Sequence, residues 1–149
     1  MHRELFIARP IEEVFAFFSD AANLERITPP WLNFRILTTQ STPIHAGTLL
    51  DYELRWHGIA IRWRTGIVGW NPPHEFADVQ LRGPYRSWRH THSFLSESGG
   101  TLMTDVVRYE LPLGILGRLA HVVRVRRDLE RVFDYRSSTI FGLFPPNSR

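Results

Sequence analysis

The chain has 149 residues, a net charge of +3, and 43% hydrophobic and 13% aromatic side chains, which is the make-up of one ordinary domain, here residues 1–149. It has no cysteine, which excludes a disulfide framework, a thiol nucleophile and thiolate metal sites. All 18 basic residues are arginine, which excludes a Schiff-base lysine, and they are spread among 15 acids without the dense basic block of a nucleic-acid arm, so no nucleic-acid partner is expected.

Residues His2 to Ala8 alternate, with Leu5 and Ile7 on one face, and read as a strand. They lack the apolar centre of a signal peptide, and the longest apolar stretch, Leu111 to Val123, is interrupted by Arg118 and His121 and too short to span a bilayer. A cytoplasmic protein without a transmembrane segment is the expectation. Pro10 suits the first turn of a helix, Glu12 and Glu13 suit its positive end, and Ile11, Val14, Phe15 and Phe18 make its buried stripe. Ser19 and Asp20 end that helix. Asp20 can cap a second short one carrying Leu24 and Ile27, which Thr28-Pro29-Pro30 stops.

Trp31 to Thr39 reads as a strand, with Leu32, Phe34, Ile36 and Thr38 opposing Asn33, Arg35 and Leu37. His57-Gly58, between two alternating runs, reads as a two-residue hairpin turn that sets Trp56 opposite Ile59. That register pairs Leu54 with Ile61 and Tyr52 with Trp63 on the inner face, and Glu53 with Arg62 and Asp51 with Arg64 on the outer. Asn71-Pro72-Pro73 marks a turn, and Phe76 to Leu81 is extended as far as Gly83-Pro84. Asp78 and Gln80 share one face of it; nothing local says which face is inside, and solvent is the simpler place for them.

Arg86 to Ser96 and Thr101 to Leu111 form another hairpin around Glu97-Ser98-Gly99-Gly100. A loop of two or four residues puts Trp88, His90, His92 and Phe94 on the face shared by Asp105, Val107 and Tyr109, whereas three residues without a bulge would reverse it. Leu111-Pro112-Leu113-Gly114 closes the sheet. A long helix follows, with Ile115, Leu119, Val122, Leu129, Val132 and Phe133 at helical spacing, reaching toward Phe141 before Pro145-Pro146. Arg124, Arg127, Asp128, Arg131 and Asp134 form its outer face. Pairing of Arg124 with Asp128, Arg126 with Glu130 and Arg131 with Asp134 is expected there.

A strand, two short helices, six more strands and a long helix give an α+β order of about seven antiparallel strands curved around the C-terminal helix. With Ala8-Arg9-Pro10-Ile11-Glu12-Glu13-Val14-Phe15 opening the first helix, the chain resembles the START-like, or SRPBCC, superfamily of helix-grip proteins over nearly its whole length. Pro29-Pro30-Trp31, Trp70-Asn71-Pro72-Pro73, the run Gly83 to His92 and Phe133-Asp134-Tyr135-Arg136 resemble its bacterial polyketide cyclase/dehydrase-related branch. The resemblance implies an apolar ligand held between sheet and helix, in carriers as in cyclases and hydrolases, and implies no metal. It leaves function to the site itself.

Tyr52, Trp56, Trp63, Trp88, Phe94 and Val107 are the candidate ligand contacts, an aromatic face suited to a pocket or to a packed core. A hydrophobic small molecule, lipid-like or aromatic, is thus the expected partner, and no cofactor is expected. His90 and His92, with Asp105 on the adjacent strand as orienter and Tyr109 as proton donor, are candidate acid–base groups for a cyclisation or dehydration. His90, His92 and Asp105 also form an N/N/O set of the kind zinc uses, although His-x-His on a strand is common without metal. His2, His45, His57, His74 and His121 form no cluster and are expected mostly at the surface. Arg86 or Arg89 could anchor an anionic group at a pocket rim, with Arg89 expected at the surface. An Arg-rich face on the final helix makes a protein-interaction domain the remaining alternative.

Overall fold

Alternating segments become one curved sheet. In the computed structural model, which describes residues 1–38, 43–112 and 115–145 and the last helix's side chains from residue 123 onward, β1 (His2–Ile7) is followed by α1 (Ile11–Phe18) and α2 (Ala21–Arg26). Then come β2 (Arg35–Ile36), β3 (Leu49–Trp56), β4 (Ile59–Asn71), β5 (Glu75–Arg82), β6 (Ser87–Glu97), β7 (Gly100–Glu110) and α3 (Ile115–Leu143). The strands pair antiparallel in the order β1-β7-β6-β5-β4-β3-β2, so α1 and α2 carry the chain from one edge of the sheet to the other. Val125, Leu129, Phe133 and Ile140 of α3 are buried. This is the helix-grip architecture expected from the order of elements.

The β3–β4 turn shows why the sequence folds this way. His57 and Gly58 both have positive φ, 47° and 83°, as a turn matching the strands' twist requires. The register is the expected one from Trp56 opposite Ile59 to Asp51 opposite Arg64. On the outer face Arg64 makes two hydrogen bonds to Asp51 at 2.8 and 2.9 Å, and Arg62 and Arg35 flank Glu53 at 3.5 and 3.6 Å. Such exposed pairs are each worth about 0–1 kcal/mol, so they select the register more than they stabilise the fold. Ile59 keeps its place opposite Trp56 at the end of the ladder but is 69% exposed.

The β6–β7 turn takes two residues, Ser98-Gly99, and sets His92 opposite Asp105. Between β4 and β5 the register shifts at Arg64/Thr65 and at Ile67/Gly69, irregularities that bend a sheet. On the helical side Ile11, Val14 and Phe15 are buried and Phe18 half-buried, with Pro10 at the N-cap, one residue before the helix. The Ala22 amide donates to the Asp20 carboxylate at 3.0 Å, the expected cap of α2.

Three expectations are corrected. The segment from Trp31 does alternate in burial, but only Arg35–Ile36 is strand: Pro30–Leu32 form a 3₁₀ turn and Asn33 has φ 42°, which breaks the extended run. Asp78 and Gln80 point inward, since they share the face of buried Phe76, while Leu81 on the other face is 56% exposed. On α3, Arg126 pairs with Glu130 at 2.9 Å as expected, but Asp128 turns to the β3–β4 hairpin. Asp134 pairs with Arg3 of β1 at 3.0 Å, and Arg131 lies over the Trp31 ring. Thr39, Leu113, Gly114 and Pro146, and the side chains of Ile115, Arg118, Leu119, His121 and Val122, lie outside the described residues. No helix among the described residues is long and apolar enough to cross a membrane.

Candidate functional site

Between the sheet and α3 lies a cavity of about 470 Å³, inside the range of about 300–1,000 Å³ usual for small-molecule sites. Of the expected contacts, Tyr52, Trp56, Trp63 and Trp88 line it, together with His90 and His92. Phe94 and Val107 do not: at 3% and 1% exposure they are packed into the interior, Phe94 edge-on to Phe15 at 5.6 Å. Tyr109 is also outside the lining, half-buried beside Tyr85 and Trp88 at 5.5 and 6.1 Å. Arg86 and Arg89 are exposed and off the rim, Arg86 lying 3.8 Å from Glu110.

The polar centre is a ring of four side chains from three strands. Asp78 on β5 stands opposite His90, and His92 on β6 stands opposite Asp105 on β7. Asp105 Oδ1 accepts from His90 Nε2 at 2.9 Å and lies 2.8 Å from His92 Nδ1, although off the line of that N–H, which leaves Nδ1 without an aligned partner. From the cavity side, Asp78 Oδ2 is 3.7 Å from both His90 Nδ1 and His92 Nε2 and accepts no bond at that distance; its Oδ1 shares the Thr65 hydroxyl, at 3.1 Å, with the Val79 carbonyl at 2.9 Å. The imidazole centroids are 3.8 Å apart, Phe76 stacks on His92 at 4.4 Å, and Phe133 meets His90 edge-on at 5.5 Å. Asp78, His90 and His92 bring ligand atoms within 4.8 Å of one another, close enough to share a metal ion, but their mutual ion pairing already accounts for the spacing. Asp105, the carboxylate expected in such a set, instead holds the far nitrogens.

Burial and charge push the two histidines apart. Burial lowers the pKa of His90 and the nearby His92 charge lowers it further, so His90 favours the neutral form. Burial acts the same way on His92, but Asp105 and Asp78 outweigh it and hold this ring protonated above the ordinary 6.5. Both carboxylates stay ionised: burial opposes the charge, and the two imidazoles overcome it, so each sits below the usual carboxylate range. Because ionised Asp105 accepts from His90 Nε2, the lone pair of neutral His90 resides on Nδ1.

At the mouth, Asp128 Oδ2 accepts from Trp56 Nε1 and contacts His57 Nε2, both at 2.9 Å, joining the β3–β4 tip to α3. Arg136 of α3 also lines the cavity, only 9% exposed, with its guanidinium 5.2 Å from the Phe133 centroid. Its Nε and the indole Nε1 of Trp63 are buried without hydrogen-bond partners among the described residues. Tyr85, Asp78, Asp128 and Arg136 are the site residues that sequence reasoning missed. Asp78 shares its strand face with Phe76, and Arg136 continues the helical series Leu129, Phe133, Ile140, but neither pattern by itself says that the polar side chain faces inward.

Comparison with known proteins matches this frame. Residues 7–132 match the family described as polyketide cyclase / dehydrase and lipid transport. Protein CV1439 from Chromobacterium violaceum shares the fold at 12% identity and TM-score 0.75, covering 99% of this chain and 97% of that one. The Zhui aromatase/cyclase from Streptomyces sp. R1128 does so at 14% identity and TM-score 0.73, covering 95% and 90%. TTHA0849 from Thermus thermophilus is 20% identical with TM-score 0.66, covering 96% and 97%. A search of the curated proteins finds no match. Such identities show the fold alone, but the family match spans most of the chain: it belongs to the polyketide cyclase / dehydrase and lipid transport family, within the START-like group its motifs resemble.

Proposed function

We propose that the protein binds a hydrophobic small molecule, aromatic or lipid-like, between its sheet and α3. The observation that carries this reading is the cavity of about 470 Å³ walled by Tyr52, Trp63 and Trp88. Flat, rigid side chains offer large contact area at little cost in side-chain entropy, and the few polar groups among them orient a guest. Native mass spectrometry of freshly purified protein, followed by denaturation and identification of what is released, tests it. A stoichiometric apolar molecule is the expected result; a protein that carries nothing and takes up no member of an apolar ligand panel contradicts it.

A second reading, cyclisation or dehydration of a polyketide-like substrate in the same cavity, is favoured by the opposed histidines. Pairs of titratable groups whose surroundings push their pKa values apart can divide the acid and base roles. Neutral His90 would take a proton from the carbon beside a ketone through Nδ1, and protonated His92 would give one to a departing hydroxyl. The C–H and C–O bonds break, a C=C bond forms and water leaves, with His90 ending protonated and His92 neutral. Asp105 orients both rings, and Tyr109, outside the lining, has no direct part. His90→Gln and His92→Gln should each lower turnover by about 10²–10⁴-fold while ligand still binds; unchanged turnover in both would remove this reading.

A further inference from the structure

The cavity wall contains a charge without a partner among the described residues. Arg136 lines the cavity, is only 9% exposed, and makes no hydrogen bond or ion pair among the described residues; its contact is with the face of Phe133. A guanidinium does not escape burial by losing its proton, so it needs an anion or a set of acceptors. The carboxylates lining the same cavity are committed elsewhere. Asp20 caps α2, Asp78 accepts from Thr65 and faces two imidazoles, and Asp128 holds Trp56 and His57. Trp63 Nε1 is a second buried donor in the same wall without a partner among the described residues. Tyr52 lies beside both, since its ring stacks on Trp63 at 5.8 Å and its buried phenol feels the charge of Asp78 and, opposing it, that of Arg136.

We propose that the ligand is an amphipathic organic acid, with an apolar, aromatic-compatible body between Tyr52, Trp63 and Trp88 and one acidic oxygen group, a carboxylate or sulfonate, on the Arg136 guanidinium. This rests on the cavity being the ligand site. The planar fork of arginine suits such a group, and Trp63 Nε1 supplies a further donor to it. The His–Asp ring already sets two carboxylates, Asp78 and Asp105, against its imidazoles, whereas Arg136 has no carboxylate beside it among the described residues, so the acid is assigned to Arg136. Arg86, offered from sequence as a rim anchor, and Arg89, expected at the surface, both lie outside the lining; of the arginines that line the cavity, Arg55 and Arg131 are exposed, Arg131 lying over the Trp31 ring, and Arg136 is the buried one.

Two fluorescent probes test this. 8-Anilinonaphthalene-1-sulfonate and N-phenyl-1-naphthylamine share one aromatic body and differ by the sulfonate. Titrated into the full chain, the sulfonate should bind about tenfold or more tightly than the neutral amine. Arg136→Met should erase that preference, leaving the two probes within about twofold of each other, and continued binding of the neutral amine shows that the variant keeps its cavity. Arg136→Lys, retaining charge without the fork, should fall between the two and serves if the methionine variant does not fold. An unchanged preference in both variants overturns the proposal, as does a wild-type chain that binds the amine well and the sulfonate no better. If neither probe binds the wild type, the cavity reading falls and this inference with it.

Discussion

At the scale of single residues, the consequential group is Asp105, one buried carboxylate serving two imidazoles. Removing one partner of a buried charged pair typically costs about 3–5 kcal/mol, because the other is left desolvated and unpaired. Asp105→Asn should therefore destabilise the fold by about 3 kcal/mol and lower the pKa of His92, which a histidine-resolved NMR titration with parallel denaturation reads. The sign with pH follows from the two shifts. His92 has a raised pKa, so its contribution is complete below the ordinary 6.5 and fades as pH rises through the raised value. Asp105 has a depressed pKa, so its contribution is present above the ordinary 3.8 and fades as pH falls through the depressed value. The Asp105→Asn penalty should thus be largest between those two ordinary values and shrink above them, as His92 loses its proton. A penalty that does not vary between pH 5 and pH 9, with an unmoved His92 titration, would contradict this account of the pair. The His92–Asp105 juxtaposition was legible in the sequence because both even loop lengths keep the same parity. Asp78 was not, since alternation separates two faces without saying which one a curving sheet turns inward, and Arg136 was hidden because a charge on a helix is ordinarily read as surface.

Among elements, the β3–β4 hairpin was the most legible, because its two faces encode one register independently: aromatic and aliphatic pairs inside, opposite charges outside. The segment from Trp31 was the least, since its alternation is real but the Pro29-Pro30 start and the left-handed Asn33 deny it a ladder. The closure of β1 onto β7 depends on a close approach that no periodicity reports. A Cβ at Gly100 would overlap the carbonyl oxygen of Ile7, whereas one at Gly58 would meet open space and suffer only from its φ of 83°. Gly58→Ala should cost about 1–2 kcal/mol through left-handed backbone strain. Gly100→Ala should cost more, about 3 kcal/mol, and expose the amides of β1 to hydrogen exchange. Equal melting temperatures for the two variants would contradict the tight β1–β7 contact.

For the molecule as a whole, the architecture follows from the order of elements, but the cavity does not. An inward aromatic face is compatible with a packed core or with a pocket; docking of α3 decides between them. Phe94 and Val107 fall on the packed side, and Tyr52, Trp63 and Trp88 on the open side. Family membership narrows the ligand to what such a space can hold without choosing between carriage and chemistry. The polar ring and the Arg136 guanidinium, unpaired among the described residues, then give the space two kinds of polar group. The most direct test of this account is to locate a bound molecule, by measuring intermolecular NOEs in the complex with N-phenyl-1-naphthylamine. A single bound probe with NOEs to the rings of Tyr52, Trp63 and Trp88 is the predicted result; a probe that binds without them, on an outer surface, would contradict the claim that this cavity is the binding site.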